Sequence, residues 1–285
     1  MDKPSQEQIE IMRQYWKSIY NKAAPILHNY TIPIYYNAGN QLKHHGTGVL
    51  IEDTSNYFLV SAAHVLEINT NNKIVIAIND NIAKPINKIA KLTPHIEDLK
   101  DRTLDKIDIA VVKFFDSEIL DELIKSKVFL KLSNLIEHHK DSLDLPNYIA
   151  FGYPEFGVTI DVANSYTTIE SKIMILPTKI SSFKKFDKYN CNPYDHIFVE
   201  YFKNMTISDG SKSLNKIKPH GISGCGLWYI DPDILQKENK IKLFLVGVVT
   251  EYQDKYHRVL IATKVHHVVN LMKAHIELGD SNISY

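Results

Sequence analysis

Cysteine is nearly absent. Two cysteines in 285 residues cannot build the disulfide framework on which small secreted domains depend, so a packed core has to hold the fold. An excess of charge of either sign is missing as well. Thirty-three Lys and Arg balance 33 Asp and Glu, interleaved along the chain, which removes the cationic surplus that binding to nucleic-acid phosphates requires. No stretch approaches the roughly 18 uncharged apolar residues of a membrane-crossing helix. The opening residues, Met1-Asp2-Lys3-Pro4-Ser5-Gln6-Glu7-Gln8, hold no apolar segment of the signal-peptide kind. These absences lead us to expect no nucleic-acid partner, no membrane partner and a reducing, cytoplasmic setting. What is present is 44% hydrophobic residues, enough at this length for one large domain or two small ones.

The apolar residues change period along the chain. From Ser5 to about residue 27, Ile9, Met12, Trp16, Ile19, Tyr20 and Ala23 recur at helical steps, with Ser5 as N-cap and Gln8 three residues on. The stripe must pack either on the body of the chain or on a partner, and residues 5–27 are therefore a candidate surface for a regulatory protein. From Tyr30 the pattern becomes that of strands: Thr31 to Tyr36, Gly48 to Ile51, Tyr57 to Val60, Lys73 to Ile78 and Ile107 to Phe114 are short, β-branched or aromatic, and bounded by turn residues. Ile119 to Ile124 reads as a short helix, and Glu137 to Ser142 as a polar connector. A second β-rich half follows, with strands at Tyr148 to Pro154, Thr167 to Leu176, His196 to Phe202, Gly226 to Ile230, Leu243 to Thr250 and Arg258 to Ala262. Val265, Val268, Leu271, Met272 and Ile276 mark a closing helix over Lys264 to Ile276. Many short strands, with no alternation of strand and helix, point to paired barrels or a sandwich.

Three segments carry chemistry. Gly46-Thr47-Gly48-Val49-Leu50-Ile51 runs, after a turn, into Ser61-Ala62-Ala63-His64-Val65, setting a histidine among small residues at a strand end. Asp108 sits in the apolar stretch Ile107-Asp108-Ile109-Ala110-Val111-Val112, where a carboxylate is costly unless it accepts hydrogen bonds or faces a cation. Ser223 lies in Gly221-Ile222-Ser223-Gly224-Cys225-Gly226, on backbone free to adopt conformations closed to other residues. A serine hydroxyl becomes a nucleophile when a histidine takes its proton, a carboxylate fixes that histidine's tautomer, and preorganised N–H groups receive the oxyanion. Asp105 and Asp101 are fallback candidates for the carboxylate.

These segments, in the order His, Asp, Ser, resemble the trypsin-like (chymotrypsin-fold) serine proteases, especially bacterial disulfide-poor forms. Phe151-Gly152-Tyr153-Pro154, Leu245 to Thr250, and Ile261-Ala262-Thr263-Lys264-Val265 add to the likeness, which spans about residues 30 to 277. The resemblance implies an all-β fold of two packed six-stranded antiparallel barrels, with added N-terminal and C-terminal helices. On that reading residues 1–29 are a helical extension, 30–130 the first barrel, 131–146 a connector, 147–262 the second barrel, and 263–285 the closing helix and tail. It implies a serine endopeptidase acting through an acyl-enzyme, with His64 as base, Asp108 as its orienting partner and Ser223 as nucleophile. The amides of Gly221 and Ser223 would form the oxyanion hole, and Ile217, Thr250, Glu251 and Tyr252 the substrate pocket. A protein or peptide is the implied substrate, with no cofactor and no metal.

The chain departs from the pattern twice. Ile222 stands where secreted relatives carry the acid that pairs with a newly cut N-terminus, so that ion pair is unavailable. Cys225 replaces a glycine common two residues after the serine, and its side chain is expected to narrow the site. Cys225 and the unfamiliar pocket keep a catalytically inactive or partner-gated pseudoprotease, a binding or scaffold domain of this fold, as the alternative, with esterase activity on small acyl groups a third reading. Cys225 as the nucleophile is a further alternative. The paired histidines His44-His45, His138-His139 and His266-His267 invite a zinc reading. Adjacent side chains are expected to diverge, though, and no partner follows at three to five residues, so they are read as surface or core residues. Gly46 and Gly48 match half a dinucleotide fingerprint, but no helix is expected after them.

Overall fold

The computed structural model describes residues 5–38, 41–67, 74–79, 82–86, 89–92, 104–140, 147–155, 158–163, 166–182, 186–201, 219–232, 235, 240–254 and 258–277. Helix α1 (Gln6–Tyr30) opens on a capping box. Ser5 Oγ accepts from Gln8 N at 3.2 Å, and Gln8 Oε1 accepts from Ser5 N at 2.9 Å, satisfying two amides that a helix start leaves open. The helix runs one turn beyond the reading from sequence. Leu27, at the end of the stretch read from the sequence, forms with Ile19 and Ala23 a stripe at four-residue steps buried in the body of the chain, while Ile11 and Tyr15 stay exposed.

Strands β1 (Thr31–Ala38), β2 (Gln41–Asp53) and β3 (Asn56–Ala62) follow, then the short helix α2 (Ala63–Leu66). Strands β4 (Ile74–Asn79), β5 (Ile82–Pro85), β6 (Ile89–Leu92) and β7 (Ile109–Phe114) lead to helix α3 (Ser117–Ser126) and strand β8 (Leu130–Lys131). They make one sheet in the order β5-β4-β1-β2-β3-β7-β6, antiparallel except where β8 adds to β2 in parallel. The second half holds β9 (Tyr148–Gly152), β10 (Val158–Ala163), β11 (Tyr166–Ser171), β12 (Met174–Thr178), β13 (His196–Glu200), β14 (Gly226–Ile230), β15 (Leu243–Gln253) and β16 (Val259–Lys264), closed by helix α4 (Val265–Glu277). Its six-stranded antiparallel sheet runs β12-β9-β14-β15-β16-β13, with β10 and β11 a separate hairpin. This is the all-β, two-barrel architecture with terminal helices read from the sequence, the first sheet carrying eight strands instead of six. The single strand expected over Thr167 to Leu176 is two, because the chain leaves the β10–β11 hairpin before β12 joins the main sheet.

The central strands are buried on both faces, which the period of two makes possible. Leu50, Leu59, Ala110 and Val112 fill the interior of the first half, together with Ile32 and Ile34. Their neighbours Val49, Ile51, Phe58, Val60, Ile109 and Val111 face the other way, into a core shared with the second half. Tyr148, Ala150 and Leu227 likewise fill the second interior, whereas Ile149, Phe151 and Trp228 join the shared core. Helices α1 and α4 both add to that core, α1 with Ile19, Ala23 and Leu27 and α4 with Val265, Val268 and Met272. The seam between the two sheets is therefore a hydrophobic core in its own right.

A Leu27→Ala substitution empties part of this seam and is expected to cost about 3 kcal/mol of stability in denaturant unfolding. Ile11→Ala, on the exposed part of the same helix, should change it by no more than about 0.5 kcal/mol.

Candidate active site

The β3–β7 register decides where the histidine and the acid meet. Ala62 pairs with Ile109 at the end of the ladder, so the residues just beyond it, His64 on α2 and Asp108 before β7, leave the sheet side by side. Ala63 N donates to Asp108 O at 2.8 Å. Asp108 Oδ1 accepts from His64 N at 2.9 Å, and Asp108 Oδ2 lies 2.6 Å from His64 Nδ1. Both carboxylate oxygens thus hold one residue. With the carboxylate accepting at Nδ1, the proton of the neutral ring sits there and Nε2 is left with the basic lone pair. Among the described residues Nε2 has no partner, and the His64 side chain is 43% exposed against 14% for Asp108.

Asp108 adopts a positive φ of 46°, a conformation that Asp tolerates better than most residues. The turn is built for it. Asp105 is buried, and its Oδ1 accepts from Ile107 N at 3.1 Å and Asp108 N at 3.0 Å. From the second half, Thr263 Oγ1 donates to Ile107 O at 2.7 Å. Asp105, a fallback candidate for the carboxylate, instead shapes the loop that presents Asp108. Asp101, the other fallback, lies outside the described residues.

Ser223 comes from the second half, and Thr47 fastens its turn to β2. Thr47 N donates to Ser223 O at 2.9 Å and Thr47 Oγ1 to Gly221 O at 3.2 Å. The same hydroxyl accepts from Tyr153 N at 3.0 Å, and Thr47 O accepts from Ser61 Oγ at 2.7 Å. Gly224, at φ +87°, lies so close to Ser61 and Thr47 that a Cβ would fall 2.0 Å from Ser61 Oγ. Only glycine fits there, and the fit presses the serine turn onto β3, the strand that leads into His64. A Cβ on Gly46 would likewise sit 2.6 Å from Val65 Cγ1 and 3.0 Å from Ser223 O. Among the described residues, the amides of Gly221 and Ser223 donate to no protein acceptor, and Gly221 holds φ +86°. The three segments singled out in the sequence therefore converge on one edge of the seam.

Ile222 and Cys225 both turn into the second interior, with Tyr148, Leu227 and Val246. Burial pushes the Cys225 thiol up, away from the thiolate that nucleophilic attack needs. Cys225 does not narrow the site as expected from its position: its amide closes a turn onto Ile222 O at 2.9 Å, and its side chain is fully buried against Gly152. Of the pocket residues, Ile217 lies outside the described residues. Val249 O accepts from Gly224 N at 2.7 Å, so Thr250, Glu251 and Tyr252 continue directly from the serine turn. Thr250 is buried and is the extra residue of a bulge in β15 where it pairs with β16. Glu251 is held by Lys106 Nζ at 3.7 Å and by Gln253 Nε2, and Tyr252 packs edge-on to Tyr201.

His44, one of the paired histidines read from the sequence as surface or core residues, is a neighbour of the site. Its ring sits against Gly221, with Nδ1 2.8 Å from where a Cβ of Gly221 would be, and edge-on to Tyr35. Both ring nitrogens are buried without a hydrogen bond. Burial first, and then the adjacent His45, push its pKa down from 6.5 to about 4, with the Gly46 backbone offsetting part of the effect.

No family model matches the sequence, and no curated protein matches it. Among solved structures the chain is similar to neuropsin, a serine protease expressed in the limbic system of mouse brain. The match covers 87% of this chain and 94% of neuropsin, with 15% identity and a TM-score of 0.52. At that identity the likeness speaks for the fold, and the fold is the chymotrypsin-like pair of barrels.

The buried neutral His44 gives a pH dependence whose sign is fixed. Above pH 6.5 the ring is neutral in both folded and unfolded chains and contributes nothing. Between about 6.5 and 4 only the unfolded chain takes up the proton, so stability falls as pH falls, by on the order of 3 kcal/mol at the acid end. Melting temperatures across that window should fall less steeply for His44→Gln than for the parent.

Proposed function

We propose that the chain is a serine endopeptidase that cleaves peptide bonds through an acyl-enzyme. The observation that carries this reading is the grip of Asp108 on His64: one carboxylate accepts two hydrogen bonds from one residue, leaving Nε2 unclaimed at an exposed edge. His64 Nε2 takes the Ser223 hydroxyl proton as the oxygen attacks the peptide carbonyl, and then gives that proton to the departing amine. Asp108 keeps the ring in the required tautomer and stabilises the imidazolium. The developing oxyanion is received by the amides of Gly221 and Ser223. Water then attacks the acyl-enzyme, with His64 as base a second time, and releases Ser223.

No ion pair with a new N-terminus is needed to shape the serine turn. Ile222 anchors it by burial, with only 2% of its surface exposed, and Thr47 anchors it by hydrogen bonds. On this reading the enzyme is active as made. A cytoplasmic setting suits the two cysteines, Cys191 and Cys225, both buried and unpaired.

Selectivity for Lys or Arg side chains is not expected. Ile217 is not an acid, and the charge of Glu251 is already met by Lys106.

A fluorophosphonate probe should label the purified chain and leave Ser223→Ala and His64→Ala unlabelled. Absence of labelling from all three would favour the pseudoprotease. Asp108→Asn should keep the fold while lowering kcat/KM by about 10⁴-fold. In a peptide library, Lys and Arg ahead of the cleaved bond should rank no higher than apolar residues; a clear preference for them would refute the assignment of the pocket.

A further inference from the structure

We propose that Asp195, His266 and His267 form a binding site for a divalent transition-metal ion, with Zn²⁺ the best match, at the junction of β16 and α4. The expectation that adjacent histidines diverge fails here. Both residues lie in the first turn after a strand, and Lys264 N donates to Asp195 O at 2.8 Å, which brings the loop before β13 over that turn. The two rings lie 4.1 Å apart between centroids, tilted by 39°. Each presents Nε2 to the same oxygen: Asp195 Oδ1 is 2.8 Å from His267 and 3.6 Å from His266.

The dimensions suit a metal. All three ligand atoms lie within 4.8 Å of one another, and among the described residues no other trio of His, Cys, Asp or Glu converges in this way. Tetrahedral zinc with bonds of about 2.0–2.1 Å holds its ligand atoms about 3.3 Å apart. The His266–Asp195 separation is already close to that, and the His267–Asp195 separation has to open by about half an ångström. Two imidazoles and a carboxylate make a nitrogen–oxygen donor set that zinc takes readily, leaving a fourth position for water.

Two further observations point to a ligand. His266 is 9% exposed, and its Nε2 is buried with no hydrogen-bond partner. A buried imidazole nitrogen without a partner is costly, and a metal bond would remove that cost. Asp195 is also oriented from behind: Asn192 Nδ2 donates to Oδ2 at 2.6 Å, and Asp195 N donates to Asn192 Oδ1 at 2.8 Å. Outer-shell bonds of this kind fix the ligands of metal centres. Asp195 therefore has one oxygen committed to Asn192 and one aimed at the two rings.

The site is linked to the acid turn through its chain neighbours. His196, next to Asp195, has Nε2 2.8 Å from Lys106 O, and Thr263, three residues before His266, donates to Ile107 O. An ion here would join the loop before β13 to α4 directly behind the segment that presents Asp108.

Calorimetric titration of metal-free protein with Zn²⁺ tests the assignment. The parent should bind one equivalent more than Asp195→Asn or His267→Gln, and zinc should raise the melting temperature of the parent by several degrees more than that of either variant. Equal stoichiometry and equal thermal shifts in all three would overturn the site. Crystals of the unaltered chain soaked in zinc provide a measurement that needs no variant. Anomalous density among Asp195, His266 and His267 is expected, and density elsewhere with none among these three would refute the proposal.

Discussion

Thr47 is the point at which two separately packed sheets become one site. Its amide, hydroxyl and carbonyl all take part in hydrogen bonds, with Ser223, Gly221, Tyr153 and Ser61, and the residue is fully buried. The serine turn from the second half is thereby held against the strand of the first half that leads to His64. Glycine at 224 is the complement of this contact, since any side chain there would collide with Ser61 and Thr47. The chemistry proposed for Ser223 depends on this joint, because a nucleophile and its base on different sheets are useful only when the sheets are fixed relative to each other.

The seam supplies that rigidity. Strands whose alternate residues enter the barrel interior and the shared core have no face left for water, and α1 and α4 cover the seam's remaining edges. An interior of this kind resists small displacements because its side chains interlock at crystal-like density. The N-terminal helix is in this sense part of the scaffold, with Ile19, Ala23 and Leu27 in the same cluster as Trp228 and Phe151.

Around the site, polar groups are placed by local devices, each drawing on a different element. Asp105 bends the acid turn, Thr263 ties it to β16, and Asp108 then grips His64. Ile222 buries itself where an ion pair is absent. The cluster of Asp195, His266 and His267 lies behind the same acid turn, so His196 and Thr263 give the proposed metal centre and the proposed catalytic acid common neighbours.

Much of this was legible in the residue order. The capping box at Ser5 and Gln8, the strand patterns, and the histidine, acid and serine segments rest on local chemistry: turn residues, periodicity and the oddity of an acid or a glycine-flanked serine in apolar surroundings. The roles of Thr47, Asp105, His44 and Ser61 were not legible, because each acts on residues distant in sequence or through a backbone shape that composition does not encode. The strand Val158–Ala163 was not legible either, nor was the burial of Cys225, whose side chain enters the second interior through the turn that follows Ser223. Residue order was enough to imply an all-β chain, rich in core, that carries His64, Asp108 and Ser223. Tertiary structure alone decided that His266 and His267 would converge on Asp195, and that one threonine would hold the serine turn. Those outcomes depend on how strands pair and sheets pack, and such contacts join residues far apart in the chain.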